Sequence, residues 1–238
     1  MTNAFTIEEV RAFWDGIAPI YEPSNAKVGY VHTQRFEKAM AFARIEPGMT
    51  VLNIWSRTGS LIPYLRKIDG LTVRNREVSP KMLAIAEAKH PGEEFGLTDL
   101  EHLPEFPDAT FDRVISLEAL EHTPKPVVFL KELHRVLKPG GLVVMSLPPQ
   151  GAEIPEYVYN LFFHDHGEGP HRFLWPWEVK RCLREAGLTL LEHRPFILLP
   201  LGSDMVTRLG EKILTAALGW TPLADFGVRH FYVCRKDQ

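Results

Sequence analysis

Between residues 50 and 147 the chain alternates short apolar runs with helical stretches, and this alternation constrains the fold more than any other feature. Thr50-Val51-Leu52-Asn53-Ile54-Trp55 has the length and character of a buried strand. A turn containing Gly59 follows, then helical residues to about Lys67. Residues 71–77 read as a second strand. Ser79 is placed to cap a helix with Pro80 at its first position, where the missing N–H costs nothing. Met82, Leu83, Ile85 and Ala86 form the apolar side of that helix. Residues 111–116 are strand-like, 127–137 helical up to the stop at Pro139-Gly140-Gly141, and 142–147 strand-like again. Strands alternating with helices predict an α/β fold: a mostly parallel sheet with helices on both faces. Such sheets bind ligands beyond the carboxyl ends of their strands.

The flanks are less regular. Thr6-Ile7-Glu8-Glu9 reads as a capping box opening a first helix, with Phe13, Trp14 and Ile17 on one face. Pro19 and the stretch Glu22-Pro23-Ser24-Asn25 are expected to break it. A second helix is expected over 31–43. Residues 149–173 form one insertion on the substrate side. A helix over 176–186 and a strand over 189–195 follow, then a second insertion over 196–226 with a helical middle. Residues 227–235 close the sheet. The expectation is one domain over 1–238: a helical cover (1–48), a ligand-binding core (49–147), and the rest of the sheet with its insertions (148–238).

The totals exclude several classes. The net charge of −3 over 238 residues shows no basic surplus, so no nucleic-acid partner is expected. Cys182 and Cys234 cannot build a disulfide framework, which favours a reducing, cytoplasmic setting. The first residues lack the basic and long apolar regions of a signal peptide. No run approaches the ~18 apolar residues of a spanning helix.

Four segments carry chemistry. Val51-Leu52-Asn53-Ile54-Trp55-Ser56-Arg57-Thr58-Gly59 is a strand followed by a turn. Val73-Arg74-Asn75-Arg76-Glu77-Val78-Ser79-Pro80 puts a carboxylate at a strand's end, where it can accept two hydroxyls at once. Leu97-Thr98-Asp99-Leu100-Glu101-His102-Leu103-Pro104 is a loop with a central Asp. Phe111-Asp112-Arg113-Val114-Ile115-Ser116-Leu117-Glu118-Ala119-Leu120-Glu121-His122 runs on through a helix to Leu137-Lys138-Pro139-Gly140-Gly141. Read singly, Glu77 is also a solvated loop residue and Asp99 a turn residue. Together the four resemble the class I S-adenosylmethionine-dependent methyltransferases, in their common small-molecule "type 11" branch.

That resemblance implies a Rossmann-like, seven-stranded, mostly parallel sheet. It implies S-adenosyl-L-methionine as cofactor and S-adenosyl-L-homocysteine as product, with a small, apolar or aromatic acceptor. Glu77 would hold the ribose and Val78 lie against the adenine. Asp99 would accept from the adenine amino group, and Leu100 would donate its backbone N–H. Leu117 and Glu118 would lie beside the methyl donor. His122 would be in reach as a general base, since an ordinary imidazole titrates near 6.5; the alternative is that it only caps or packs. The segment Phe13-Trp14-Asp15-Gly16-Ile17-Ala18-Pro19-Ile20-Tyr21 resembles the N-terminal cover of quinone-type C-methyltransferases, and Tyr21 would face the reaction. The first segment departs from the pattern. The family commonly has V-L-D-I-G-x-G-x-G, and here only Gly59 survives. Asn53 replaces the acidic residue, and Trp55 and Arg57 replace glycines. Either these side chains fill the methionine end of the cleft or they point away from it. The competing reading is a non-catalytic relative, a binding or scaffold subunit, that has lost or altered cofactor binding through Trp55 and Arg57.

His164-Asp165-His166-Gly167-Glu168-Gly169-Pro170-His171 is dense in metal-ligating groups. It is a Gly- and Pro-rich loop without helical ligand spacing, so no metal is assigned and a substrate entrance or solvated loop is expected. Tyr157, Tyr159, Phe162, Phe163, Trp175 and Trp177 surround it. Residues 196–220, with Phe196-Ile197-Leu198-Leu199-Pro200-Leu201 and then Met205, Leu209, Ile213, Leu214 and Leu218, read three ways: a lid, a surface leaning on a membrane, or core packing. Nothing in the sequence names the acceptor or the oligomeric state.

Overall fold

The structure is a computed structural model, and it describes residues 1–27, 29–154, 167, 169–197 and 204–238. Seven strands form one sheet: β1 (Thr50–Ile54), β2 (Thr72–Glu77), β3 (Glu94–Leu97), β4 (Phe111–Leu117), β5 (Leu137–Leu147), β6 (Leu188–Phe196) and β7 (Arg229–Lys236), in the order β3-β2-β1-β4-β5-β7-β6. All pairings are parallel except those of β7, which runs antiparallel to both neighbours. The expected sheet is therefore present. The order reverses between β1 and β4, which opens a crevice at their carboxyl ends.

Strand periodicity divides the core. Leu52, Ile54, Val114, Val143 and Met145 point to one face, where α1 (Ile7–Lys27), α4 (Pro80–Lys89), α5 (Pro126–Val136) and α6 (Pro176–Glu185) pack. Val51, Ile115, Leu117 and Val144 point to the other, under α2 (Gly29–Ala43) and α3 (Ile62–Leu65). An amphipathic α7 (Asp204–Leu218) lies beyond α2.

The capping boundaries fall where the sequence puts them. Thr6 and Glu9 exchange backbone-to-side-chain bonds, and the Ser79 hydroxyl accepts from the Met82 amide at 3.1 Å. Three elements differ from expectation. The first helix runs through both Pro19 and Pro23 instead of breaking. Tertiary packing overrides the break, because Trp14, Ala18 and Tyr21 are buried against the sheet's rim. β3 was not foreseen; its half-buried Glu94-Phe95-Gly96-Leu97 becomes a strand only by pairing with β2 as an edge. β5 starts at Leu137, ahead of the Pro-Gly-Gly turn, which is absorbed as a bulge: Leu137 pairs with Phe111 and Leu142 with Arg113.

Candidate active site

The crevice lies where β1, β2 and β4 end, and its backbone is unusual. Trp55 (φ +67°), Arg57 (φ +52°), Leu100 (φ +67°) and Glu118 (φ +54°) are all left-handed there. Without glycine each such residue costs about 1 kcal/mol. The turn thus keeps a glycine-type path while carrying large side chains. Gly59 (φ +79°) is its surviving glycine, and a Cβ there would meet His90 at 2.6 Å.

Those side chains turn inward. Trp55 is 3% exposed and Arg57 8%. The guanidinium carbon of Arg57 lies 3.3 Å from the centroid of the Trp14 ring and 4.0 Å from that of Trp55. The two indoles meet edge to face at 6.0 Å. Trp55 also stacks on His122 at 5.2 Å with a 14° tilt. Helix α1 supplies Trp14 and is tied down along its length. Arg11 donates to the Val78 carbonyl, and Asp15 accepts from the Ser79 hydroxyl and the Lys81 amide. Glu22 accepts from Thr58 and Lys89.

Glu77 sits at the end of β2 and is wholly buried. One oxygen accepts the Arg57 amide at 2.7 Å and the other the Ser79 amide at 3.0 Å. Burial raises the pKa of this carboxyl, against the opposing pull of Arg57 and the amides. Val78 is buried beside it. Asn53 is also buried, its amide donating to Asn75 across to β2 at 2.9 Å. Asp99 faces its own loop: one oxygen accepts from the Glu101 and His102 amides, and the residue caps that turn. The Leu100 amide donates to the Thr98 hydroxyl.

At the end of β4, Leu117 packs into the α2-side core. Glu118 is gripped by Arg35 of α2 and Arg229 of β7. Burial alone would raise its pKa; Arg229 and then Arg35 outweigh that and bring it down to about 2. Arg35 also donates to the Tyr21 hydroxyl at 3.3 Å. His122 is fully buried, with Nδ1 2.9 Å from the Pro170 carbonyl, so that nitrogen carries the proton. Its Nε2 has no hydrogen-bond partner among the described residues. Burial, reinforced by Arg57, pushes its pKa down to about 3. The imidazole is thus neutral and a far weaker base than an ordinary histidine.

The structure therefore brings Tyr21, Trp55, Glu77 and His122 to one crevice with Trp14 and Arg57, and leaves Asp99 at its outer loop. Arg35 and Arg229 were not legible in the sequence, lying 83 and 111 residues from the carboxylate they hold. Residues 157, 159, 162–166, 168 and 198–201 of the sequence reading lie outside the described residues. Among the described residues no group of His, Cys, Asp and Glu is arranged to hold a metal. No described helix is long and apolar enough to cross a membrane.

Comparison with known proteins fixes the class. A family model described as "Methyltransferase domain" matches residues 52–145. A demethylmenaquinone methyltransferase of Bacillus licheniformis is 32% identical over 232 residues, covering 86% of this chain and 97% of that protein. One from Chlorobaculum tepidum is 31% identical over 161 residues, 65% of this chain and just under two thirds, 66%, of its own length. A chain from the complex between the Haloferax volcanii Trm112 methyltransferase activator and a methyltransferase superposes with a TM-score of 0.73, covering 94% of this chain and 98% of that one at 21% identity. This last likeness is one of fold. The chain belongs to the class I S-adenosylmethionine-dependent methyltransferases, whose methyl donor is S-adenosylmethionine.

The residues present do not admit that donor in the arrangement described. Glu77 is wholly buried, so in this arrangement neither oxygen is open to a ribose. Arg57 and two indoles fill the corner beside the β1 turn. Of the two alternatives the sequence left open for Trp55 and Arg57, the inward one is realised. Buried polar atoms without partners among the described residues, the Trp55 Nε1, Ser56 Oγ, Ser116 Oγ and His122 Nε2, nevertheless gather at the ends of β1 and β4 and in the turn after it. Buried groups of this kind usually find a partner.

Proposed function

We propose that this protein transfers a methyl group from S-adenosylmethionine to a small, apolar, quinone-type acceptor, and that the arrangement described is the closed one, with α1 down. The observation carrying this reading is Glu77: a buried carboxylate at the end of β2, beside the crevice where the sheet order reverses. An aromatic wall of Trp14, Tyr21, His122, His171 and Phe173 supports the acceptor class, since flat rings pack on flat rings. The relatives named above carry demethylmenaquinone in their names, an acceptor of the same chemistry. His122, held neutral, favours an orienting role over strong proton abstraction.

The reading extends to location. Helix α7 is inverted: it buries Thr207 and Glu211 and exposes Met205, Val206, Leu209 and Ile213, with Trp220 beyond. Its apolar face is therefore not core. With Lys212 on the exposed side, it suits a cytoplasmic protein leaning on an anionic lipid surface, where a lipid-soluble acceptor resides.

A second reading, a non-catalytic relative that binds or scaffolds, is favoured by the inward Trp55 and Arg57 alone. Calorimetric titration with S-adenosylmethionine and S-adenosylhomocysteine, paired with a radiolabelled methyl-transfer assay on a short-chain demethylmenaquinone, separates the two. Saturable micromolar binding with transfer is expected. Folded protein that binds neither nucleoside, even with Trp55 and Arg57 both returned to glycine, sinks the transfer reading and leaves the scaffold.

A further inference from the structure

The corner filled by Arg57 is a built cation site, and the geometry points to an onium slot in which Arg57 is the resident competitor of a methylated cationic ligand, a sulfonium or quaternary ammonium. Trp14 and Trp55 stand at 83° to each other, so their ring faces form two sides of a corner. The guanidinium carbon lies over both, at 3.3 and 4.0 Å, and the Tyr21 ring is 6.0 Å away. Aromatic faces attract positive charge without demanding a hydrogen bond, and they suit cations clothed in methyl groups. The wholly buried Glu77 carboxylate supplies the negative charge, and Arg57 acts on it electrostatically.

The walls are rigid. Trp55 is backed by the stacked His122 ring, which the Pro170 carbonyl holds in place. Trp14 is held over the corner by the α1 anchors at Arg11, Asp15 and Glu22. Two buried nitrogens at this wall, Trp55 Nε1 and His122 Nε2, have no hydrogen-bond partner among the described residues. Arg57 sits on left-handed backbone (φ +52°), and its guanidinium occupies the slot. Where the family places small residues, this chain places an aromatic wall and a surrogate cation. A permanent cation of similar size exchanges with the guanidinium; a neutral thioether gains nothing from the indole faces. The inference rests on the transfer reading only for the identity of the natural ligand as a sulfonium.

The test is a tryptophan-fluorescence titration of the whole chain with tetramethylammonium chloride, against sodium chloride at equal ionic strength and neutral tert-butanol. Wild type, Arg57→Gly and Arg57→Met are compared, the last retaining bulk should the glycine variant not fold. Tetramethylammonium is expected to saturate, at least tenfold more tightly once the guanidinium is gone. Trp55→Leu in the Arg57→Met background is expected to abolish it. Equal responses to tert-butanol, or no gain in either folded Arg57 variant, overturn the slot. In parallel, S-adenosylmethionine is expected to exceed S-adenosylhomocysteine tenfold in the Arg57 variants. If tetramethylammonium binds and neither nucleoside does, the slot stands and the transfer reading falls. If both nucleosides bind equally and tetramethylammonium does not, the transfer reading stands and the slot falls.

Discussion

Replacing Glu118 by Gln isolates the charge that ties the two sides of the chain together. The variant keeps the shape of the side chain and leaves Arg35 and Arg229, whose side chains are 11% and 6% exposed, buried without their counter-ion. Breaking such a pair from one side costs about 3–5 kcal/mol. The carboxyl itself gives a compatible figure. At about 1.4 kcal/mol per tenfold in acidity, holding it at about 2 instead of 4.5 is worth about 3 kcal/mol. Urea unfolding followed by circular dichroism reads this directly. With a slope of about 3 kcal/mol per molar, the midpoint falls by about 1 M at pH 7. The sign with pH is fixed because the folded state holds Glu118 more acidic than the unfolded chain. Its contribution is complete above pH 4.5 and drains away as the pH falls towards 2, so wild type and variant converge across that window. A loss below about 1 kcal/mol at pH 7 refutes the argument, as does a gap unchanged between pH 7 and pH 3.

Three further outcomes are expected. His32, His122 and His193 are held neutral, with pKa values pushed down by burial to about 2, 3 and 3. The unfolded chain therefore binds protons near pH 6.5 that the folded one refuses, stability declines as pH falls from 6.5 towards 3, and nitrogen NMR should find His122 neutral at pH 5. Gly59→Ala should lower stability by about 1–2 kcal/mol, read as a lower Tm, because its φ is +79° and the new methyl meets His90 at 2.6 Å. Leu209→Glu with Ile213→Glu should abolish cosedimentation with phosphatidylglycerol vesicles while leaving Tm within a few degrees, since both residues are 59% exposed; unchanged sedimentation removes the lipid-facing role.

What could be read from the sequence was local. Ser79-Pro80 set the start of α4, and the apolar runs at 51–54 and 142–147 set their strands, because capping chemistry and periodicity act over a few residues. The Trp55 and Arg57 departures were visible as missing glycines, and the structure puts both inside the crevice. Less local features stayed hidden. β3 exists only through its pairing with β2, and α1 passes its prolines only because the rim holds it. The partners of Glu118 come from α2 and β7, and nothing near residue 118 announces them. Of the two readings of His122, base or packing residue, the sequence could not choose; its surroundings, chiefly burial, make it a poor base.

The two prolines of α1 have one more consequence. Neither offers an N–H, so the carbonyls of Asp15 and Pro19 lack their usual partners four residues on. The rungs are missing on the segment that holds Trp14, Ala18 and Tyr21 against the rim. A hinge at this place starts with two bonds already surrendered, so the molecule has a weak line drawn across the door it would have to open.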